Sequence, residues 1–298
     1  MEHVRWLMRP VFSTVADVRR VVKPRNLYSH KGDFGSLLII GGSDVYSGAP
    51  ALAGMASLRT GVGLVFIAAP KGIASTIRSY SPDLIVHQLS DYAVTQNDLP
   101  AISELLAKSD ALVLGPGIGR HSETRAAILH IIKSATDMNR PILIDADAIR
   151  AVADTVAYKQ SNIVVTPHSG EFKALSGIDA PERWRERVPI CVDFAKKNSC
   201  VLLLKGHETV ITDGERVKVN RTGNPGMAKG GMGDVLSGII GTFLAQRADP
   251  FCAAVAGAFL HGRTGDRLLK KEGFHMVASD FINELPVVLR QFDQIETL

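Results

Sequence analysis

The sequence predicts an α/β protein with a mainly parallel central sheet. Short apolar runs alternate with segments of helical apolar spacing along most of the 298 residues, and this alternation is typical of βαβ units with helices on both sheet faces. Most of the glycine-rich stretches come directly after a predicted strand, at the sheet edge where open α/β folds bind ligands. These two patterns predict both the fold class and the edge of the sheet that carries the function.

Six apolar runs have the length and boundaries of buried strands: Ser36 to Ile40, Leu64 to Ala68, Ala111 to Leu114, Pro141 to Ile144, Asn162 to Thr166 and Val201 to Leu204. Helices with one apolar face are predicted between them at Ala51 to Arg59, Ser122 to Ala135 and Ile190 to Lys197. A hairpin is predicted next, with arms Thr209 to Thr212 and Arg216 to Val219 around an Asp213-Gly214 turn. The last third of the chain predicts helices at Asp234 to Ala245, Pro250 to Lys270 and Ser279 to Arg290.

No linker-like tract divides this series of elements, so we expect one domain, residues 25–298, after an N-terminal extension, residues 1–24. Hydrophobic residues make up 46% of the chain and charged residues 21%, which is ordinary for a globular protein. No apolar run reaches the roughly 18 residues of a membrane span, and the first twenty residues lack the pattern of a secretory signal. We therefore expect a cytoplasmic protein with no membrane partner.

Cysteine usage and net charge narrow the function classes further. The three cysteines, Cys191, Cys200 and Cys252, form no CxxC pair, so neither a disulfide framework nor a zinc site is indicated. The formal charge of +4 comes without a dense Lys/Arg block, which suits an anionic small molecule at least as well as nucleic acid. We expect no nucleic-acid partner and no resident metal cluster.

The strongest candidate site is a glycine-rich stretch before the first helix of the last third. Gly230, Gly231 and Gly233 precede Asp234, and glycines there leave the amide groups of the helix start free to bind phosphate oxygens. A carboxylate in that first turn can accept a proton from a hydroxyl aligned with a phosphoryl group. The structural alternative for Asp234 is a simple N-cap.

Other strand ends carry further candidates. Lys205 ends a strand and supplies a cation, although a strand-end lysine is often only a solvated surface charge. His168 could hydrogen-bond a ligand or be satisfied by neighbouring backbone. Asp145 and Asp147 could hold Mg²⁺ through water, but capping of the next helix is slightly favoured. His261 and Asp266 are interpreted as packing and surface residues.

Several common enzyme motifs are absent. The first strand is not followed by Gly-x-Gly-x-x-Gly, which disfavours a nicotinamide dehydrogenase, and there is no Walker sequence and no Gly-x-Ser-x-Gly nucleophile motif. The remaining hypothesis is a phosphate site built by a late glycine-rich helix start.

In order along residues 28–290, the motifs resemble those of the NAD(P)H-hydrate dehydratases of the ribokinase-like superfamily. The matching stretches are His30 to Gly35, Gly41 to Ser43, Ser47 to Ala49, Gly115 to Gly119, Thr166 to His168, Gly170-Glu171, Lys205-Gly206 and Asn224 to Asp234. The resemblance implies a ribokinase-like three-layer αβα sandwich with a mainly parallel sheet. It also implies dehydration of the S epimers of the hydrated cofactors NADHX and NADPHX, with ADP or ATP as co-substrate, Mg²⁺, and release of phosphate and AMP.

Site roles follow from the resemblance position by position. Asp234 is then the catalytic base and also contacts substrate, while Ala49, Gly117 and His168 contact the hydrated nicotinamide nucleotide. The adenine nucleotide is assigned to Lys205, Gly206, His207, Glu208, Thr209 and Gly233. Two positions depart from the family pattern: Met232 replaces the usual Thr or Ser, and Ser169 replaces Pro or Ala.

The resemblance also implies partners. An NAD(P)H-hydrate epimerase is expected as a separate chain, because residues 1–24 are too few to form one, and a homo-oligomer, a tetramer, is expected. Two other functions stay open: a vitamin-precursor kinase of the same superfamily, and a nucleotide-sensing module that would not need Asp234.

Overall fold

The computed structural model of the protein describes residues 11–90 and 92–296. The first ten residues of the predicted N-terminal extension lie outside this range. The strands are β1 Val11–Phe12, β2 Arg25–Asn26, β3 Ser36–Ile40, β4 Leu64–Ala69, β5 Ile85–Gln88, β6 Ala111–Leu114, β7 Ile142–Ile144, β8 Ile163–Val165, β9 Val201–Leu204, β10 Thr209–Thr212, β11 Val217–Asn220 and β12 Ile295–Glu296. The helices are α1 Val15–Arg19, α2 Gly48–Thr60, α3 Lys71–Tyr80, α4 Leu99–Ala107, α5 Ser122–Asp137, α6 Asp147–Val152, α7 Ser169–Ser176, α8 Trp184–Asn198, α9 Met232–Ala245, α10 Pro250–Glu272 and α11 Ala278–Leu289.

A ten-stranded sheet forms the middle layer, in the order β1-β11-β10-β9-β8-β7-β6-β3-β4-β5. The seven strands from β9 to β5 are mutually parallel, and only β10 runs antiparallel to its two neighbours. The carboxyl ends of β3, β6, β7, β8 and β9 therefore lie side by side at one edge. A separate two-stranded sheet pairs β12 with β2.

Helices cover both faces of the sheet because alternate strand residues point to opposite sides. In β3, Leu37 and Ile39 pack into the core shared with α2, α3, α9, α10 and α11, whereas Leu38 and Ile40 pack into the core shared with α4 to α8. This is the predicted three-layer arrangement. Among the described residues, no helix is both long enough and apolar enough to span a bilayer.

The predicted elements are confirmed within about two residues, except that several helices extend further than their apolar spacing showed. Elements the sequence did not predict are β1, β2, β5, β12, α1, α3, α4, α6 and α7. The predicted N-terminal extension contributes β1, which pairs in parallel with β11 at the sheet edge.

Candidate active site

A buried carboxylate joins three strand ends to the start of α9. Asp145, which follows β7, accepts hydrogen bonds from the Lys205 ammonium at 2.9 Å and from the hydroxyls of Thr166 and Ser237 at 2.8 Å each. Burial disfavours the charge on Asp145, but the charge of Lys205 and these hydrogen bonds lower its pKa below the ordinary value. Asp145 is therefore ionised and held in place by these partners. The N-cap of α6 is Ala146, with no side-chain capping hydrogen bond, so the slightly favoured prediction that Asp145 caps the next helix is wrong.

Lys205 lies between two acidic groups. Its ammonium is 3.8 Å from the Glu171 carboxylate as well as 2.9 Å from Asp145, and its side chain is only 23% exposed. Burial acts to lower the pKa of Lys205, but the charges of Asp145 and Glu171 outweigh burial and raise it. The residue is a fixed cation rather than the solvated surface charge that a strand-end lysine often is.

Asp234 lies in the first turn of α9, whose N-cap is Gly231 at a φ of +86°. Because Gly231 and not Asp234 holds the N-cap position, the structural alternative of an N-cap does not account for Asp234. Burial, and then the neighbouring charge of Asp145, raise the pKa of Asp234 to about 7, against the opposing influence of Lys205. A carboxyl group with a pKa close to neutrality is suited to accept and return a proton.

A cavity of about 860 Å³ opens at the same sheet edge, within the size range of small-molecule and cofactor sites. It brings together many of the residues that the sequence assigned to the nucleotide and substrate; those lining it are His168, Lys205, Gly206, His207, Thr209 and Gly233. Its wall also contains apolar side chains, among them Leu236 and Ala258. A polar end beside the glycine-rich helix start and apolar surface further along suit a phosphorylated ligand with a planar base.

Gly206 has a steric reason to be glycine that the sequence did not reveal. A Cβ atom there would stand 2.0 Å from Nη1 of Arg187, a residue of α8 that is only 6% exposed. The same guanidinium reaches the Lys205 carbonyl and the Ser169 hydroxyl, each at 3.4 Å. Arg187 therefore supports the backbone at Lys205 and Gly206 from behind and contacts the hydroxyl of Ser169, one of the two family departures.

The predicted contacts Ala49 and Gly117 lie together, although neither lines the cavity. A Cβ atom on Gly117, whose φ is +64°, would stand 3.0 Å from the Ala49 Cβ. Their loops follow β3 and β6, while the loops of the cavity follow β8 and β9. Asp145, after β7, lies between the two groups of loops in the sheet order.

Two assigned residues have partners within the protein. Nδ1 of His168 accepts hydrogen bonds from the amides of Gly170 and Glu171 at 3.0 and 3.2 Å, so neighbouring backbone satisfies that nitrogen, yet the side chain still lines the cavity. Glu208 forms an ion pair with Arg221 at 2.9 Å and does not line the cavity.

His261 joins the cavity wall although the sequence assigned it to packing. It is 8% exposed, and its Nε2 has no hydrogen-bond partner. Burial, and then the charge of Lys205, lower the pKa of His261 to about 4, against a hydrogen bond to the Met232 backbone. His261 is therefore a neutral ring between α10 and the start of α9. Asp266 accepts from the Gly223 amide at 3.1 Å.

Within residues 11–90 and 92–296, no three His, Cys, Asp or Glu side chains group in a way that could hold a metal ion. Asp145 is bonded to Lys205, and Asp147 pairs with Arg120 at 2.7 Å. The donor set does not fit a metal held by the protein alone, and a Mg²⁺ here would depend on oxygens of the ligand's phosphates.

Comparisons with known proteins identify the family of this chain. A family model described as NAD(P)H-hydrate dehydratase matches residues 37–287. The ADP-dependent (S)-NAD(P)H-hydrate dehydratase of Nitrosopumilus maritimus is 37% identical over 287 residues, 95% of this chain and 98% of that relative. The bifunctional NAD(P)H-hydrate repair enzyme of Pyrobaculum aerophilum is 41% identical over 268 residues, but the match covers 90% of this chain and only 53% of that relative. The chain thus spans about half the length of such bifunctional relatives.

A solved structure is similar over nearly the whole chain. The ADP/ATP-dependent NAD(P)H-hydrate dehydratase of Bacillus subtilis, co-crystallised with ATP and Mg²⁺, has a TM-score of 0.81 at 27% identity and covers 96% of this chain and 100% of its own. This likeness confirms the predicted ribokinase-like α/β fold.

Proposed function

Because the chain belongs to the NAD(P)H-hydrate dehydratase family, we propose that it dehydrates the S epimers of hydrated NADH and NADPH with an adenine nucleotide, ADP by preference, as co-substrate. The observation that carries the proposal is the placement of Asp234. Its carboxyl group, with a pKa of about 7, lies in the first turn of the helix whose glycine-rich start lines a nucleotide-sized cavity beside Lys205. Two similar proteins, from Nitrosopumilus maritimus and Bacillus subtilis, are NAD(P)H-hydrate dehydratases, which supports the same reaction.

The proposed chemistry has two steps. Asp234 accepts the proton of the substrate C6 hydroxyl while the oxygen of that hydroxyl attacks the terminal phosphorus of ADP. The bond between this phosphorus and the bridging oxygen of ADP breaks, and AMP leaves. The phosphorylated intermediate then loses phosphate together with a ring proton, which restores the double bond of NADH. Water is a poor leaving group and phosphate is a good one, so transient phosphorylation explains the need for a nucleotide.

The remaining residues bind and orient the reactants in this proposal. The amides around Gly233 hold the transferred phosphoryl group, and Lys205 neutralises charge that develops on it. The stretch from Gly206 to Thr209 follows the nucleotide, whereas Ala49, Gly117 and His168 hold the nicotinamide side. Mg²⁺, carried by the nucleotide phosphates, would supply charge neutralisation, and no step depends on a protein-bound metal.

Some elements of the proposal concern the surroundings of the reaction. An NAD(P)H-hydrate epimerase would supply the S epimer, consistent with the bifunctional names of some relatives. The homotetramer, the cytoplasmic location and the division into residues 1–24 and 25–298 stay predictions.

The direct test mixes the purified protein with hydrated NADH and either ADP, ATP or no nucleotide, and follows the near-ultraviolet absorbance of reduced nicotinamide. We expect absorbance to return only with a nucleotide, faster with ADP, and AMP to appear in equal amount in the reaction with ADP. A stable phosphorylated product without NADH would instead identify a small-molecule kinase, and nucleotide binding without any turnover would identify a sensing module.

A further inference from the structure

We propose that Asp145 is a positioning residue for the proposed reaction: it fixes the Lys205 ammonium at the phosphate end of the cavity and places a fixed negative charge behind the start of α9, where it adds to burial in opposing the ionisation of Asp234. The proposal rests on the proposed function, and its test is designed to be read without turnover.

The geometry gives Asp145 its fixed position. It is 2% exposed, and its two oxygens are divided between partners, Oδ1 for Lys205 and Thr166 and Oδ2 for Ser237. Thr166 follows β8, Lys205 follows β9, and Ser237 belongs to α9, three residues after Asp234. The Asp145 carboxylate therefore connects Lys205 to α9, the helix that carries Asp234.

The start of α9 faces this pair closely. A Cβ atom on Gly233 would stand 3.6 Å from Asp145 Oδ2 and 3.6 Å from Lys205 Nζ. The backbone before Asp234 therefore lies within van der Waals reach of both charged groups. A ligand phosphate bound at the helix start would consequently lie beside Lys205, while Asp145 remains behind it.

Few other charges act on Asp234. Burial is the largest influence and raises the pKa of Asp234; among charges, Asp145 raises it further and Lys205 lowers it. From α10 comes His261, which burial keeps neutral with a pKa of about 4. The facing stretch of α2, residues 48–56, has no ionisable side chain. From α11, Asp280 is engaged with the Val277 amide. Removal of the Asp145 charge should therefore make Asp234 a stronger acid.

The experiment measures the ionisation of Asp234 by carbon NMR of aspartate carboxyl groups, with its signal identified by its loss in Asp234→Asn. Asp145→Asn is expected to lower the pH at the midpoint of Asp234 ionisation by about one unit or more. The matched control is Asp147→Asn, the same change two residues away in a side chain paired with the exposed Arg120, and it should leave the midpoint in place. An unmoved midpoint in folded Asp145→Asn overturns the proposal.

A second comparison remains available if Asp145→Asn alone does not fold. In Lys205→Met, adding Asp145→Asn replaces a buried ion pair by neutral groups, which protein interiors tolerate. The ionisation midpoint of Asp234 should be lower in this double variant than in Lys205→Met alone, and equal midpoints contradict the proposal.

If turnover is obtained, kcat/KM gives an independent measurement. The rise of kcat/KM on the acid side of its pH profile must move together with the ionisation midpoint of Asp234 measured by NMR. A raised Mg²⁺ requirement in Asp145→Asn with this rise unmoved would mean that Asp145 serves as a metal ligand instead. Failure of wild-type turnover alone would count against the proposed function and not against this charge coupling.

Discussion

Replacing Lys205 by Met should destabilise the fold, because it leaves Asp145 buried without its cation. Removing one partner of a buried ion pair costs roughly 3 to 5 kcal/mol. Asp145 keeps its hydrogen bonds from Thr166 and Ser237, and the Lys205 side chain is 23% exposed. We therefore expect the lower end, about 3 kcal/mol at neutral pH, with little loss of packing since Met retains most of the aliphatic stem.

Urea unfolding followed by circular dichroism gives the free energy of unfolding for both proteins at several pH values. In the wild type the pKa of Asp145 is lowered in the folded state, so its stabilisation is present above the ordinary value of 3.8 and is lost as pH falls through the folded-state pKa. In Lys205→Met, burial of Asp145 dominates and raises that pKa. The stability difference should accordingly be largest at neutral pH and shrink towards pH 3.8.

The control is Lys133→Met, the same substitution in a surface pair whose lysine side chain is 72% exposed, and it should change stability little. A loss below about 1 kcal/mol for Lys205→Met at neutral pH, or a loss independent of pH, would refute the reasoning that Asp145 is ionised and dependent on Lys205.

Three further outcomes are expected. Lys205→Met should weaken nucleotide binding by about 1.5 to 3 kcal/mol and binding of the hydrated cofactor less; equal losses in calorimetric titrations would mean that the lysine acts through stability alone. Gly206→Ala should lower both the melting temperature and nucleotide affinity, because its Cβ would meet Arg187 Nη1 at 2.0 Å, whereas Gly230→Ala, which meets no protein atom within 4 Å, should leave the melting temperature unchanged. The folded-state pKa of Asp234, about 7, lies above the ordinary value of 3.8, so the stability this group contributes is complete below pH 3.8 and is lost as pH rises through about 7. Wild-type protein should therefore lose melting temperature relative to Asp234→Asn over that range, and parallel curves would contradict the raised pKa.

Local patterns in the sequence were enough to predict the central strands. Val201 to Leu204 and Ala111 to Leu114 are fully apolar runs with clear boundaries, and both occur as predicted. The strand Ile85–Gln88 escaped prediction because it lies at the sheet edge with only Val86 buried, so half of it reads as polar. The strand Val11–Phe12 has two residues and exists only through its pairing with β11, some two hundred positions away.

Some residues of the candidate site could likewise be predicted from local sequence features, and others could not. Gly233, Asp234 and Lys205 could be singled out because glycine spacing and strand ends are local features. The bond from Lys205 to Asp145 joins residues 60 positions apart, and it follows only once β7, β8 and β9 are known to be neighbours. Arg187 behind Gly206 had no signal in the sequence, because an arginine inside an amphipathic helix resembles any surface charge.

The most direct test of the central claim compares turnover of hydrated NADH by wild type and by Asp234→Asn, with ADP present. Asn keeps the volume of Asp and can still cap a helix, but it cannot accept the hydroxyl proton. Loss of a general base predicts a fall in kcat of about 10² to 10⁴-fold, with nucleotide binding retained and the melting temperature not lowered. Turnover within a fewfold of wild type would contradict the account and place the base elsewhere in the site.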